Sequence, residues 1–141
     1  MKRNASAVWQ GSLKEGKGTI TTQSGTLKET PYTFRSRFGE DPETNPEELI
    51  GAAHAGCFTM ALSLVLGEAG FTADRLSTKA TVTLDQVGGG FAITAIHLDL
   101  SGKVPGIDKA KFEEAANGAK ANCPVSKVLN ATITLTATLE Q

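Results

Sequence analysis

At 141 residues, with 40% apolar and 21% charged side chains, the chain has the length and composition of one globular domain and is too apolar to be disordered. A fold of that size buries roughly 70% of its unfolded surface, so its core needs neither a metal nor a disulfide staple. The balance of 14 Lys plus Arg against 15 Asp plus Glu leaves a net charge of −1, which gives no long-range attraction to nucleic acid or to an anionic membrane. Met1-Lys2-Arg3-Asn4-Ala5-Ser6 leads into no apolar export segment, so the expected location is the cytoplasm. In a reducing compartment the chain's 2 cysteines are more often chemical than structural.

Taken in chain order, residues from about 5 to 38 read as short strands broken by glycine turns, ending in Pro31-Tyr32 and the run from Phe34 through Arg35 and Arg37 to Phe38. A central helix is predicted over about 46–69. Asn45 suits its N-cap, Pro46 its first position, and Glu47 and Glu48 the positive end of its dipole. From Leu49 to Leu66 only His54, Thr59 and Ser63 interrupt an apolar run on every face. The run approaches a membrane span in length, but its internal glycines and the amphipathic remainder of the chain favour a buried helix of a soluble fold, with no membrane. A helix apolar all round needs neighbours on all sides, which hints at a dimer.

A hairpin follows over about 75–101, turning at Gly88-Gly89-Gly90, with a shift of apolar phase near Ala95 that predicts a bulge. Asp108 caps a second helix over about 108–122, Cys123-Pro124 opens a short helical turn to Leu129, and Ile133, Leu135, Ala137 and Leu139 alternate with threonines in a last strand over about 131–140. The expectation is one α+β domain spanning 1–141, an antiparallel sheet with a long central apolar helix.

Two readings of the cysteines stand side by side. Cys57 in the middle of the apolar helix fits a small buried hydrophobe. Cys123 precedes Pro124 at the cap of a helical turn, where free N–H groups favour a thiolate. A Cys₂His₂ metal site from His54, Cys57, His97 and Cys123 is disfavoured because His97 and Cys123 lack a local partner, and His54 reads as a hydrogen-bonded core histidine. The glycine runs 16–18 and 88–90 match no nucleotide-binding pattern and read as turns.

Two motifs carry a resemblance. The run Thr44-Asn45-Pro46-Glu47-Glu48-Leu49-Ile50-Gly51-Ala52-Ala53-His54-Ala55-Gly56-Cys57-Phe58 and the later Cys123-Pro124-Val125-Ser126 resemble the osmotically inducible protein C and organic hydroperoxide resistance family. The likeness covers essentially the whole chain. It is closer to the first branch, in which His54 stands where the other tends to carry tyrosine. The resemblance implies a thiol-dependent peroxidase that reduces organic (alkyl or lipid) hydroperoxides to alcohols as an intertwined homodimer. No cofactor or metal is implied, and an external dithiol, for which the family points to dihydrolipoyl groups, would regenerate the enzyme. By motif match Cys57 is the peroxidatic nucleophile, Cys123 the resolving thiol, Arg37 the activating cation and Glu47 its carboxylate partner, with Arg35 and Glu48 as weaker alternatives. Phe58, Met60 and Leu64 are expected to line a pocket poor in water. Glu47 and Cys57 stand ten residues apart on one helix, about 15 Å along its axis, so Glu47, with Arg37, is expected to serve the partner chain's cysteines. A dithiol–disulfide oxidoreductase and a non-enzymatic dimer with packing cysteines are the competing readings.

Overall fold

The computed structural model describes residues 1–141, which divide into two compact units, Met1–Leu49 and Ile50–Gln141. In the first, β1 (Ala5–Gln10), β2 (Lys17–Thr22) and β3 (Thr30–Tyr32) form an antiparallel sheet in that order. Gly18 pairs with both Trp9 and Tyr32, whose ring centroids lie 5.4 Å apart. A Cβ at Gly18 would come within 2.5 Å of each ring, so only glycine lets the two aromatics meet.

The strand expected to continue through Phe34 and Arg37 is instead a helix, α1 (Phe34–Phe38). The physical reason is a capping box: Thr33 Oγ1 accepts from Ser36 N at 3.1 Å, and Ser36 Oγ accepts from Thr33 N at 2.8 Å. Ser36 Oγ also lies 2.9 Å from the Thr44 carbonyl, and Asn45 Nδ2 donates to the Ser36 carbonyl at 3.0 Å. The same Asn45 accepts from Glu48 N at 2.8 Å as a helix cap. These bonds tie α1 to the start of α2 (Pro46–Glu68), the long central helix.

In the second unit, β4 (Arg75–Val87) and β5 (Gly90–Lys103) form an antiparallel hairpin turning at Gly88 and Gly89, which adopt φ of 55° and 86°. The predicted bulge falls at Thr94, between the pairs Thr83–Ala95 and Leu84–Ile93. α3 (Lys109–Asn122) and α4 (Pro124–Val128) then lead to β6 (Thr132–Leu139). The antiparallel expectation fails for this last strand, which pairs with β5 in parallel. Two helices between β5 and β6 form a crossover, which carries the chain from the end of the sheet where β5 finishes back to the end where β5 began.

The core joins Phe58, Leu62 and Leu66 of α2, Ile96, Leu98 and Leu100 of β5, and Phe112, Ala116 and Ala119 of α3. Gly102 of β5 sits against Phe112, where a Cβ would lie 2.7 Å from the ring. The spacing 54, 58, 62, 66 puts one stripe of α2 into this core. Cys57, Ala61 and Val65 beside this stripe are partly buried, but the remaining face is left exposed. Met60 is 76% and Leu64 64% exposed, and only 28% of the most apolar 18-residue window is buried. By length and composition alone that helix could cross a membrane.

Candidate active site

Cys57 is half-buried on α2, one turn beyond the fully buried His54. Cys123 ends the buried stripe of α3 that begins at Phe112, and it also caps α4. Its Sγ accepts from Ser126 N and from Ser126 Oγ, each at 3.4 Å. The 65 residues between the two cysteines are folded so that the free thiols lie close enough for each to shift the other's ionisation, with the Val125 N–H acting on both sulfurs.

The two sulfurs are not equivalent. Burial pushes the Cys57 thiol up, the Val125 N–H opposes this, and the neighbouring Cys123 pushes it further up. Burial acts on Cys123 in the same sense, but donors from Ser126 and Cys57 outweigh it and hold that thiol below its ordinary value. Within this pair the first negative charge therefore belongs on Cys123.

His54 is the hydrogen-bonded core histidine that its position suggests. Its Nε2 lies 2.7 Å from Ser126 Oγ, and burial lowers its pKa. His97 takes no part in this cluster; it bonds to Thr134 and Thr136 across the β5–β6 pair. Phe58 belongs to the core, whereas Met60 and Leu64 stand exposed, so these three do not line a common pocket within the chain.

In the first unit Arg37 and Glu47 form a second pair. Arg37 Nη2 and Nε donate to Glu47 Oε1 at 2.8 and 3.0 Å. Glu47 is buried and Arg37 half-exposed, with the guanidinium 5.4 Å above the Phe38 ring. The alternatives are engaged elsewhere: Arg35 faces Asp41 at 3.4 Å, and Glu48 accepts from Thr44 Oγ1 at 2.8 Å. Beside Arg37 lies an apolar depression of about 230 Å³ walled by Trp9, Leu13, Tyr32, Phe34 and Phe38.

Sequence reasoning missed Ser126. The signal was present: in Cys123-Pro124-Val125-Ser126 a cap residue and the third helical residue stand at capping-box spacing, with sulfur in place of the usual hydroxyl. It gave no pointer to His54, which lies 72 residues away.

The model of the family described as OsmC-like protein matches residues 39–138. The chain is 56% identical over 133 residues to the peroxiredoxin OsmC of Escherichia coli (strain K12), a match covering 94% of this chain and 93% of that one. It is 34% identical over 102 residues to the organic hydroperoxide resistance protein of Xanthomonas axonopodis pv. citri (strain 306), covering 68% and 66% of the two chains. A crystal structure of an organic hydroperoxide resistance protein from Elizabethkingia anophelis superposes with a TM-score of 0.75 at 25% identity, over 99% of both chains. The family match takes in both cysteine motifs and most of the fold that joins them, and the chain belongs to the OsmC-like protein family.

Proposed function

We propose that this protein is a thiol-dependent peroxidase that reduces organic hydroperoxides to alcohols, with residues 1–141 acting as one hydroperoxide-reductase module. The observation that carries the reading is the juxtaposition of the Cys57 and Cys123 thiols, each acting on the other's ionisation, two nucleophiles brought together from distant positions in a chain that has no other cysteine. Thiols in that relationship are separated from a disulfide by one oxidation step.

The cycle begins with Cys57, the more exposed sulfur. Its thiolate attacks the outer peroxide oxygen, the O–O bond breaks, and alkoxide leaves and takes up a proton. Cys123 then attacks the Cys57 sulfenic acid, releasing water and closing the disulfide. An external dithiol, of the dihydrolipoyl class to which the family resemblance points, returns both thiols. Free cysteines of this kind fit a reducing, cytoplasmic setting.

Arg37, steadied by Glu47, supplies the cation. Its planar fork orients the peroxide and meets the charge growing on the departing alkoxide. Glu47 and Cys57 stand ten residues apart on a helix, about 15 Å at the usual rise, so the acid–arginine pair of one protomer serves the cysteines of the other. Two observations support a homodimer. The exposed Met60 and Leu64 leave α2 with apolar faces to cover. Moreover, the groups acting on the Cys57 thiol (burial, Val125 and Cys123) leave it above its ordinary value, so it needs a cation from elsewhere.

Cumene hydroperoxide added to reduced protein tests the reading. Rapid loss of both free thiols is expected, and Cys123→Ser should consume one equivalent without turning over with dithiol. Slow loss of thiols would instead mark the cysteines as packing residues, and rapid exchange with protein disulfides but not with peroxide would mark a dithiol–disulfide oxidoreductase.

A further inference from the structure

We propose that His54 and Ser126 form a donor chain that holds negative charge on Cys123 and so speeds closure of the disulfide, making both of them positioning residues for the second half of the peroxidase cycle. The inference rests on the peroxidase reading above and adds to it a division of labour between the two sulfurs.

The geometry fixes the direction of the chain. Ser126 has a single hydroxyl proton, which it donates to Cys123 Sγ at 3.4 Å. Its oxygen must then accept from His54 Nε2, 2.7 Å away. The ring proton is thereby assigned to Nε2, which leaves Nδ1 bare. That nitrogen is buried and has no hydrogen-bond partner. A bare acceptor is tolerated there more readily than a stranded N–H donor would be, so the orphaned atom supports the same tautomer. His54 is wholly buried, and burial keeps the ring neutral. It therefore acts as a fixed donor. The Ser126 backbone N–H adds a second donor to the same sulfur at 3.4 Å.

Donors aimed at Cys123 matter after the peroxide has been consumed. The Cys123 thiolate attacks the sulfur of the Cys57 sulfenic acid. An S–S bond forms, the S–O bond breaks, and hydroxide departs and takes up the proton that Cys123 gave up, leaving as water. The Cys57 sulfur is reduced and the Cys123 sulfur oxidised by the same amount. In the reductive half the same donors make Cys123 the better leaving group, which directs the incoming dithiol to Cys57. In the first half they give no help, because charge held on Cys123 is withheld from Cys57.

The test separates the two steps. After one equivalent of cumene hydroperoxide, sulfenic acid is followed with a sulfenic-specific trap and disulfide closure by loss of the second thiol. Losing one charge-assisted donor raises the Cys123 pKa by about one unit. At a pH below the Cys123 pKa the thiolate population then falls about tenfold while its nucleophilicity rises about threefold, for a net loss of about threefold in closure rate. Ser126→Ala should therefore form sulfenic acid at no less than the wild-type rate, close the disulfide about threefold or more slowly, and accumulate over-oxidised Cys57. Ser126→Thr, which keeps the hydroxyl, and His54→Gln, which keeps a donor, should close faster than Ser126→Ala and His54→Leu respectively. Closure at the wild-type rate in Ser126→Ala, or equal slowing of both steps, overturns the proposal. A readout without peroxide stands beside it. In a Cys57→Ser background, where His54 stays neutral, the 240-nm thiolate absorbance of Cys123 should rise about one pH unit later when Ser126 is also replaced by Ala. Should the wild type form no sulfenic acid at all, the peroxidase reading falls, and an unmoved absorbance step then sinks the donor chain as well.

Discussion

Arg37 and Glu47 meet side-on through two nitrogens of the guanidinium, Nη2 and Nε, both donating to Glu47 Oε1 at 2.8 and 3.0 Å. The carboxylate is buried at the first turn of α2, and the α1 capping box sets where Arg37 begins. The pair is therefore held from both ends, with the remaining guanidinium nitrogen, Nη1, outside these bonds to Glu47.

That geometry bears on what arginine contributes. A thiol of pKa about 8.5 is only ~3% ionised at neutral pH, so complete ionisation gains at most ~30-fold, and a fall of about three pKa units costs ~15–30-fold in nucleophilicity. The two nearly cancel, so in the proposed mechanism the main effect of Arg37 is to orient the peroxide and stabilise the alkoxide. Arg37→Lys is expected to keep much of the Cys57 thiolate, measured by alkylation rate, yet to lose at least about tenfold in peroxidase rate. Equal losses in the two measurements would reject this division.

The proposed two-chain site makes a prediction of its own. Cys57→Ser and Glu47→Ala protein, each inactive, are mixed, unfolded together and refolded. With random pairing half the dimers are hybrids and each hybrid holds one intact centre, so about a quarter of the wild-type activity should return. A site drawn from one chain returns nothing beyond the sum of the parents.

His54 imposes a pH dependence on stability. Burial holds its folded pKa below 6.5, so the unfolded chain binds the proton first as pH falls. The contribution of the neutral ring is complete above 6.5 and is lost as pH drops from there toward the folded value. Across that window the slope reaches at most about 1.4 kcal/mol per pH unit. Denaturant unfolding of the reduced protein on either side of pH 6.5 should show the loss, and His54→Gln should remove that share of it. A slope unchanged by the substitution would assign the acid sensitivity to other groups.

Gly102 tests the packing of α3 on the sheet. A methyl group there meets the Phe112 ring at 2.7 Å and Leu76 Cδ2 at 3.1 Å, and β5 and α3 leave it no room to turn away. Gly102→Ala is expected to cost about 1–3 kcal/mol in chemical denaturation. A neutral result would mean that α3, which carries Cys123, rides loosely on the sheet.

Much of this was legible in the chain itself. Asn45-Pro46-Glu47 announced the start of α2 because capping is local chemistry, and the glycines at 88 and 89 announced the hairpin because only glycine enters their backbone conformation cheaply. The bulge at Thr94 was visible as a slip in alternation. α1 was misread because Tyr32 and Phe34 favour strands, whereas the pairing of Thr33 with Ser36 decides the matter within one turn. The direction of β6 was not legible at all. Alternating apolar residues state which face is buried and say nothing about which way the strand runs.

The amino-acid order thus determined on its own the helices apart from α1, most of the strands, and the family motifs that hold Cys57, Cys123 and Glu47. Each of these is written in neighbouring residues, within reach of backbone hydrogen bonding or side-chain periodicity. Only the tertiary structure decided that His54 would meet Ser126 from 72 residues away, and that donors from Ser126 would lower the Cys123 pKa while burial raises that of Cys57. Proton preference depends on burial and on donors arriving from distant segments, and those exist only once the chain has folded.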